Sequence, residues 1–270
     1  MEKKRILIVS HELDPYLVLT EAAALITKLM SKAAPANYEI RAMMPRFSEI
    51  NERRHRLHEV VRLSGINITI GKDDNPLLIK VASLMPSRIQ CYFMDNDDYF
   101  KRPSAFIDGK SKKFYEDNDE RMIFYNKAVI ETVRKFGWSP HIVHCHGWFS
   151  SLIPCYLKTA YKNDPVFSST KIVQSLYTNV FKEKLSDKFL EKALVHNLLK
   201  TKDLEPYKGA DNAGVYLGAM KYSDALILGS EYIDPTVEMA FAAFKGPKLG
   251  VVAEEDMYTN YFDFYKTLLD

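Results

Sequence analysis

The chain has 270 residues, of which 47% are hydrophobic and 27% charged, and a formal net charge of +2 at pH 7. A chain of this length and composition can bury a full hydrophobic core, and its small charge gives no indication of binding to nucleic acid or to a membrane surface. The three cysteines form no Cys-x-x-Cys pair, and no apolar run approaches the roughly 18 residues that cross a bilayer, so we expect a cytoplasmic protein with reduced thiols.

The first predicted elements are a buried strand and an amphipathic helix. Residues 5–10, RILIVS, are apolar and β-branched without alternation, which is typical of a strand covered on both faces. From Ala22 to Met30 apolar residues recur at helical spacing, and Thr20 is expected to cap this helix. In nucleotide-binding α/β proteins the turn between such elements carries glycines that bring the backbone close to a phosphate. Here the first glycine is Gly65, so we expect this turn to serve another purpose.

A second strand over residues 38–45 is followed by a group of β-type runs. The runs INITI, LLIKVAS and IQCYFMDN are separated by turn residues and predict a β-hairpin insertion beside the parallel strands. Before them lies the most basic stretch of the chain, NERRHRLHEV over residues 51–60. Its two glutamates favour a solvated, ion-paired face over a nucleic-acid contact.

The second half of the chain alternates helices and strands. Asp117 and Glu120 resemble a capping box at the start of a long helix, and Gly137 stands where a C-cap glycine belongs. The elements predicted after it are strand HIVHCH, a helix from Trp148 to Tyr161 with Pro154 near its middle or at a break, strand KIVQSLY, a polar helical stretch from Ser186 to Leu204, helix GVYLGAMKYSD, strand ALILGS and helix DPTVEMAF. This order predicts an α/β fold with a doubly wound, mostly parallel, Rossmann-like sheet, in which ligands bind beyond the carboxyl ends of the strands.

The C-terminal segment predicts a helix with an aromatic face. The residues expected on that face are Tyr258, Tyr261, Phe262, Tyr265 and Leu269. We expect residues 1–270 to form a single domain, with residues 257–269 as a closing helix packed back on it.

Several segments, in their order, carry a family resemblance. The segment RILIVSHELDPY is similar to a strand followed by a Ser-x-Glu-x-x-Pro-aromatic turn, with Ser10, Glu12, Pro15 and Tyr16 at the matching positions. The segments IRAMMPRFSEI, CYFMDNDDYFKRP and DNDERMIFYNKAVIE are similar to later elements of the same family, and SPHIVHCHGWFSSLIPCYLK to its Pro-Asp-Ile-Val-His-x-His-Asp-Trp element. Over roughly residues 5–234 the chain thus resembles the N-terminal half of bacterial glycogen and starch synthases, the ADP-glucose-using glucosyltransferases of the GT-B fold.

The departures from the family pattern fall where its donor chemistry lies. The family's Lys-Thr-Gly-Gly-Leu loop, which serves the nucleotide sugar, aligns with residues 18–22, so the lysine and both glycines are replaced. The aspartate of His-Asp-Trp is Gly147, and the His-Asn after the next strand reads Tyr177 and Thr178. The family also binds most of its donor in a C-terminal domain, for which 270 residues leave no room.

The resemblance therefore implies one of two functions. The first is glucosyl transfer that extends an α-1,4-glucan such as glycogen from ADP-glucose, with this chain as the acceptor-side domain, a separate chain as the donor domain, and little activity from this chain alone. The second is a non-catalytic glucan-binding or regulatory subunit of glycogen metabolism. The tail resembles the final helix of full-length GT-B enzymes, so we expect the chain to be complete rather than a fragment.

The candidates for contact with a ligand in the cleft are Glu12, Tyr16, Tyr99, His146, Trp148 and Tyr177. Each also has a purely structural interpretation as a turn or core residue, and no catalytic residue is assigned. We expect no metal or cofactor, because His144 and His146 lack a third ligand and the acidic cluster at 95–98 lacks the glycine and terminal glutamate of a calcium loop. The expected ligands are an α-glucan or ADP-glucose, with no nucleic acid or membrane contact.

Overall fold

A mostly parallel sheet forms the centre of the fold. The computed structural model describes residues 3–33 and 37–270. The strands of the sheet are β1 Lys4–Val9, β2 Tyr38–Pro45, β3 His58–Glu59, β4 Ile66–Ile70, β5 Asp73–Leu84, β6 Ile89–Asp95, β7 Ile142–His146, β8 Lys171–Leu176, β9 Ala225–Leu228 and β10 Lys248–Leu249. Their order is β10-β9-β8-β7-β1-β2-β6-β5-β3, and β4 pairs with β5.

The directions of the strands confirm the predicted fold class. Strands β10, β9, β8, β7, β1, β2 and β6 pair in parallel, whereas β5 pairs antiparallel with β3, β4 and β6. The antiparallel strands are the predicted β-hairpin insertion. Because the parallel strands all end at one edge, the loops that follow β1, β7, β8 and β9 meet there.

Helices cover the sheet. They are α1 Ala22–Ser31, α2 Glu52–His55, α3 Asp97–Phe100, α4 Asn118–Phe136, α5 Ile153–Lys158, α6 Phe189–Lys192, α7 Thr201–Leu204, α8 Asn212–Tyr222, α9 Pro235–Ala243 and α10 Met257–Leu269. Two 3₁₀ turns lie at Trp148–Ser150 and Glu205–Tyr207. Within the described ranges, none of these helices combines the length and apolar character that a bilayer crossing requires.

The long helix α4 ends as predicted but begins differently. Gly137 adopts φ +60°, the left-handed conformation of a C-cap glycine. The predicted capping box is wrong, because Asp117 makes no side-chain cap and its carboxylate instead accepts a hydrogen bond from Arg102 Nη1 (2.8 Å). A partner 15 residues away thus displaces the local bond.

Two other helix predictions are wrong in extent. The stretch from Trp148 to Tyr161 is a 3₁₀ turn followed by α5, because Pro154 lacks an N–H and occupies the first turn of a new helix. The stretch from Ser186 to Leu204 contains only the single turns α6 and α7. Its buried side chains are Phe189, Ala193, Leu199 and Leu204, and the spacing from Ala193 onward departs from that of a helical stripe.

The C-terminal helix α10 buries Tyr261, Phe262 and Tyr265 of its predicted face, whereas Tyr258 and Leu269 are only partly buried. Phe262 stacks on Tyr38 of β2 with ring centroids 5.3 Å apart, and Tyr265 is fully buried. The Tyr265 hydroxyl lies 2.6 Å from Nδ1 of His144 in β7. Residues 257–269 therefore lie against the sheet.

Candidate functional site

A cleft of about 480 Å³ lies at the carboxyl edge of the parallel strands. It is formed by the loops after β1, β7, β8 and β9, together with the start of α1. Among its lining residues are Ser10, His11, Glu12, Thr20, Glu21, His146, Gly147, Trp148, Tyr177, Val180, Tyr216, Glu231, Tyr232 and Val251. A ligand is expected at this edge in an open α/β sheet.

The turn after β1 is closed by an internal carboxylate. Glu12 Oε2 accepts hydrogen bonds from the backbone amides of Leu19 (2.8 Å) and Thr20 (2.7 Å), and Oε1 accepts one from the Thr20 hydroxyl (2.6 Å). Backbone amides at such a turn are the groups that hold a phosphate in nucleotide-binding proteins. Here Glu12 satisfies them, and the neighbouring Val18 is exposed and carries no charge.

Two histidines of β7 lie next to each other, and His146 lines the cleft. The rings of His144 and His146 lie 3.8 Å apart, centroid to centroid. His144 contacts the Tyr265 and Ser175 hydroxyls through its two ring nitrogens (2.6 and 2.7 Å), and His146 Nδ1 contacts the Tyr177 hydroxyl (2.8 Å). Burial lowers the pKa of His144 well below its usual value, and burial together with nearby His11 lowers the pKa of His146 to about 3. Both rings are therefore neutral at physiological pH.

His11 occupies the space beside Gly147. Gly147 has φ +75°, and a Cβ built on it would lie 2.8 Å from His11 Cε1. Any side chain at this position meets both backbone strain and the His11 ring.

Three buried nitrogen atoms in the cleft wall lack a partner. Within the part of the chain that the structure describes, His11 Nδ1, His146 Nε2 and Trp148 Nε1 make no hydrogen bond, and the side chains are 6%, 2% and 1% exposed. All three residues line the cleft. Since buried polar groups are almost always hydrogen-bonded, this wall is suited to a polar ligand.

The charge of the cleft is negative. Its lining contains the carboxylates of Glu12, Glu21 and Glu231, and no lysine or arginine is found among the described lining residues. His11 and His146 add no charge, because burial lowers the pKa of both. The cleft therefore disfavours an anionic ligand.

The structure brings four of the six predicted cleft residues together. Glu12, His146, Trp148 and Tyr177 all line the cleft, and their contact with a ligand remains a prediction. Tyr16 is buried and borders a separate groove on the other side of the β1 turn.

Tyr99 lies in the hydrophobic core rather than at the cleft. Its ring packs 5.2 Å from that of Phe124, centroid to centroid, and its hydroxyl donates to Glu120 (3.3 Å). The sequence alone does not show whether the Tyr99 ring is exposed at a cleft or packed in the core.

Most of the residues that line the cleft were not predicted as ligand contacts, among them His11, Glu21, Tyr216 and Glu231. His11 lies two residues after the end of β1, and its place at a strand end is a usable signal. Tyr216 lies in the middle of α8, where the sequence gave no such signal.

No metal site emerges from the residues at 3–33 and 37–270, where no group of three or more His, Cys, Asp or Glu side chains is arranged to hold an ion. The acidic residue Asp95 instead forms ion pairs with Arg46 and Lys80, each at 3.0 Å.

Comparison with known families shows which family the chain belongs to. The model of the starch synthase catalytic domain matches residues 5–241. The chain belongs to the starch synthase catalytic domain family. The resemblance predicted from the sequence is thus confirmed.

Starch and glycogen synthases also provide the similar proteins. The chain is 33% identical to a glycogen synthase of Chlorobium limicola over 253 residues, covering 93% of this chain and 50% of that protein. It is 36% identical to a glycogen synthase of Chlorobaculum tepidum over 179 residues, covering 66% of this chain and 36% of that one. The catalytic domain of starch synthase IV from Arabidopsis thaliana, solved with ADP and acarbose, shares the fold with a TM-score of 0.67 at 15% identity, over 98% of this chain and 50% of that one.

These matches make the chain a glycosyltransferase domain of the starch synthase type. It spans about half the length of the curated relatives it matches. The relatives are synthases, so the comparisons do not support the alternative of a regulatory subunit.

Proposed function

We propose that this chain is the acceptor-side domain of a glucosyltransferase that extends an α-1,4-glucan from ADP-glucose. Family membership supports the reaction class. The observation that carries the choice of ligand is the acidic cleft with three unpartnered nitrogen atoms in its wall. The buried, unpaired thiols of the three cysteines support a cytoplasmic location.

The cleft has the chemistry of a site for an uncharged sugar. A sugar hydroxyl both donates and accepts, so it can pair with an indole N–H or with an imidazole nitrogen in either tautomer. The Tyr177 ring lies in the same cleft, and an aromatic ring offers an apolar face to a sugar. Glu21 and Glu231 accept hydrogen bonds from hydroxyl groups without requiring a charged ligand.

The same features argue against a diphosphate in this cleft. Glucosyl transfer from a nucleoside diphosphate needs cations and free backbone amides to stabilise the leaving phosphates. Val18 supplies no charge, and Glu12 already holds the amides of Leu19 and Thr20. We therefore place the phosphates of ADP-glucose on another domain.

An apolar rim supports the docking of that donor-side domain, which we assign to a separate chain. Exposed apolar side chains cluster on the loops that form the cleft: Val18, Leu19, Val180, Tyr232 and Val251. Exposed apolar surface at the edge of a cleft is a feature of protein contacts. A partner there would close the cleft over the acceptor.

The activity of the isolated chain is the first prediction. With radiolabelled ADP-glucose and glycogen, we expect little or no incorporation of glucose into glycogen. The loss of a single preorganised hydrogen-bond donor at a developing charge already lowers the rate about 10²- to 10³-fold. We expect the same protein to co-sediment with glycogen and to remain in solution when the glycogen has first been digested with amylase. Robust incorporation by the chain alone would contradict the placing of the donor phosphates elsewhere. Failure to sediment would contradict the glucan site.

A further inference from the structure

A second, basic groove lies on the other side of the β1 turn. It has a volume of about 670 Å³ and is lined by Pro15, Tyr16, Arg54, His55, Arg56, His58, Ser83 and Met85. Two arginines and two histidines thus face one groove, and no carboxylate occurs among its described lining residues. Its charge is opposite to that of the cleft.

The arginines of this groove lack ion-pair partners. The sequence predicted an ion-paired face over residues 51–60, but Glu52 pairs with Arg46 (3.3 Å) and Lys80 (2.7 Å) instead. In the described ranges no carboxylate lies within ion-pair distance of Arg54 or Arg56, and both side chains are exposed. The prediction of an ion-paired face is therefore wrong, because Arg46 and Lys80 take Glu52, and Glu59 forms no ion pair in the described ranges.

The groove is held in place by packed neighbours. The His55 ring makes an edge-to-face contact with Tyr16, with centroids 5.1 Å apart, and Tyr16 contacts Phe93 in the same way at 5.0 Å. Burial and, to a smaller extent, the nearby Arg54 lower the pKa of His55. The ends of the groove are thereby fixed to the core.

We propose that this groove binds a small ligand carrying a phosphate group. Its volume falls in the usual range for small-molecule sites, about 300 to 1,000 Å³. Guanidinium groups bind phosphate oxygens in pairs, and two of them without internal partners are available here. One isolated groove on a protein of net charge +2 fits a small anion better than a nucleic acid, which needs an extended basic surface.

The site is separate from the glucan cleft but shares a turn with it. Glu12 and Tyr16 lie on the two sides of a turn that is closed by paired backbone bonds between Leu13 and Leu17, both 3.0 Å. The phosphate site does not depend on the proposed glucosyl transfer. Its ligand would contact the same turn that borders the cleft.

Calorimetric titration of the full chain with inorganic phosphate and with glycerol 3-phosphate tests this proposal. We expect saturable 1:1 binding of at least one probe, and at least tenfold weaker binding in the double variant Arg54→Gln/Arg56→Asn, in which Asn suits the left-handed backbone of Arg56 (φ +54°). Arg53→Gln is the matched control, because Arg53 lies on the same helix outside the groove and should bind like the unmodified protein.

The relative affinities of the two probes distinguish free phosphate from a phosphate ester. Binding of neither probe would overturn the proposal, and so would equal weakening by all the variants. Tighter binding of a single-stranded oligonucleotide, lost in the same double variant, would also overturn it in favour of a nucleic-acid surface. Melting curves of all variants confirm that each remains folded.

Discussion

Replacing Arg121 by Met should lower the free energy of unfolding by about 3 to 5 kcal/mol, since three hydrogen-bond acceptors in the core would lose their partner. Arg121 on α4 is fully buried, and its pKa is lowered by burial to about 10. It donates to the carbonyls of Tyr99 (2.7 Å) and Ala105 (2.6 Å) and to Asn118 Oδ1 (2.5 Å). The guanidinium therefore ties the loop after α3 to α4.

The same helix offers a matched control. Arg134 is 42% exposed and pairs with Glu131 and Asp164 at the surface, so Arg134→Met should cost less than about 1 kcal/mol. Urea unfolding of the two variants gives the comparison directly. Equal losses in both would contradict the role assigned to the buried guanidinium.

Removing the C-terminal helix should destabilise the protein to a similar or larger extent. We propose that α10 belongs to the folding unit of residues 1–270, because five of its side chains are buried: Met257, Tyr261, Phe262, Tyr265 and Leu268. Each buried apolar side chain contributes about 1.5 to 3 kcal/mol. Deletion of residues 257–270 should therefore lower the melting temperature sharply.

A point variant keeps this prediction testable if the truncated chain does not fold. Tyr265→Ala should cost about 3 to 5 kcal/mol, because it leaves a cavity and removes the hydroxyl next to His144. Tyr258→Ala on the same helix is the control, since Tyr258 is only partly buried and packs beside Lys32. Unchanged melting of both the truncated chain and the Tyr265 variant would show that α10 is a loose tail.

The elements that could be predicted from sequence are those whose signal is local. Strand β1 contains an apolar run from Ile6 to Val9, β7 and β8 each contain an Ile-Val pair, and Gly137 ends α4 through its own backbone preference. The errors arose where a distant partner decides the outcome. Arg102 takes the carboxylate of Asp117, and nothing in the neighbouring sequence indicates that contact.

The residues of the candidate site likewise fall into those that the sequence indicates and those that only long-range packing places. Glu12, His146 and Trp148 follow strands whose ends define the cleft, so their place could be predicted from topology. The burial of Tyr99 and the contribution of Tyr216 depend on packing between elements far apart in sequence. The negative charge of the cleft likewise appears only when loops after four strands are brought together.

The emission of Trp148 shows whether the cleft binds an uncharged glucan, as we propose, or a nucleoside diphosphate. The chain has two tryptophans, so the Trp138→Phe variant reports on Trp148 alone. The Trp148→Phe variant is the control and reports on Trp138, whose indole N–H donates to Glu39 (3.0 Å) away from the cleft. We expect maltoheptaose to change the fluorescence of the Trp138→Phe protein saturably and to leave that of the Trp148→Phe protein unchanged, with no response of either to ADP. A saturable response of Trp148 to ADP and none to maltoheptaose would contradict the account.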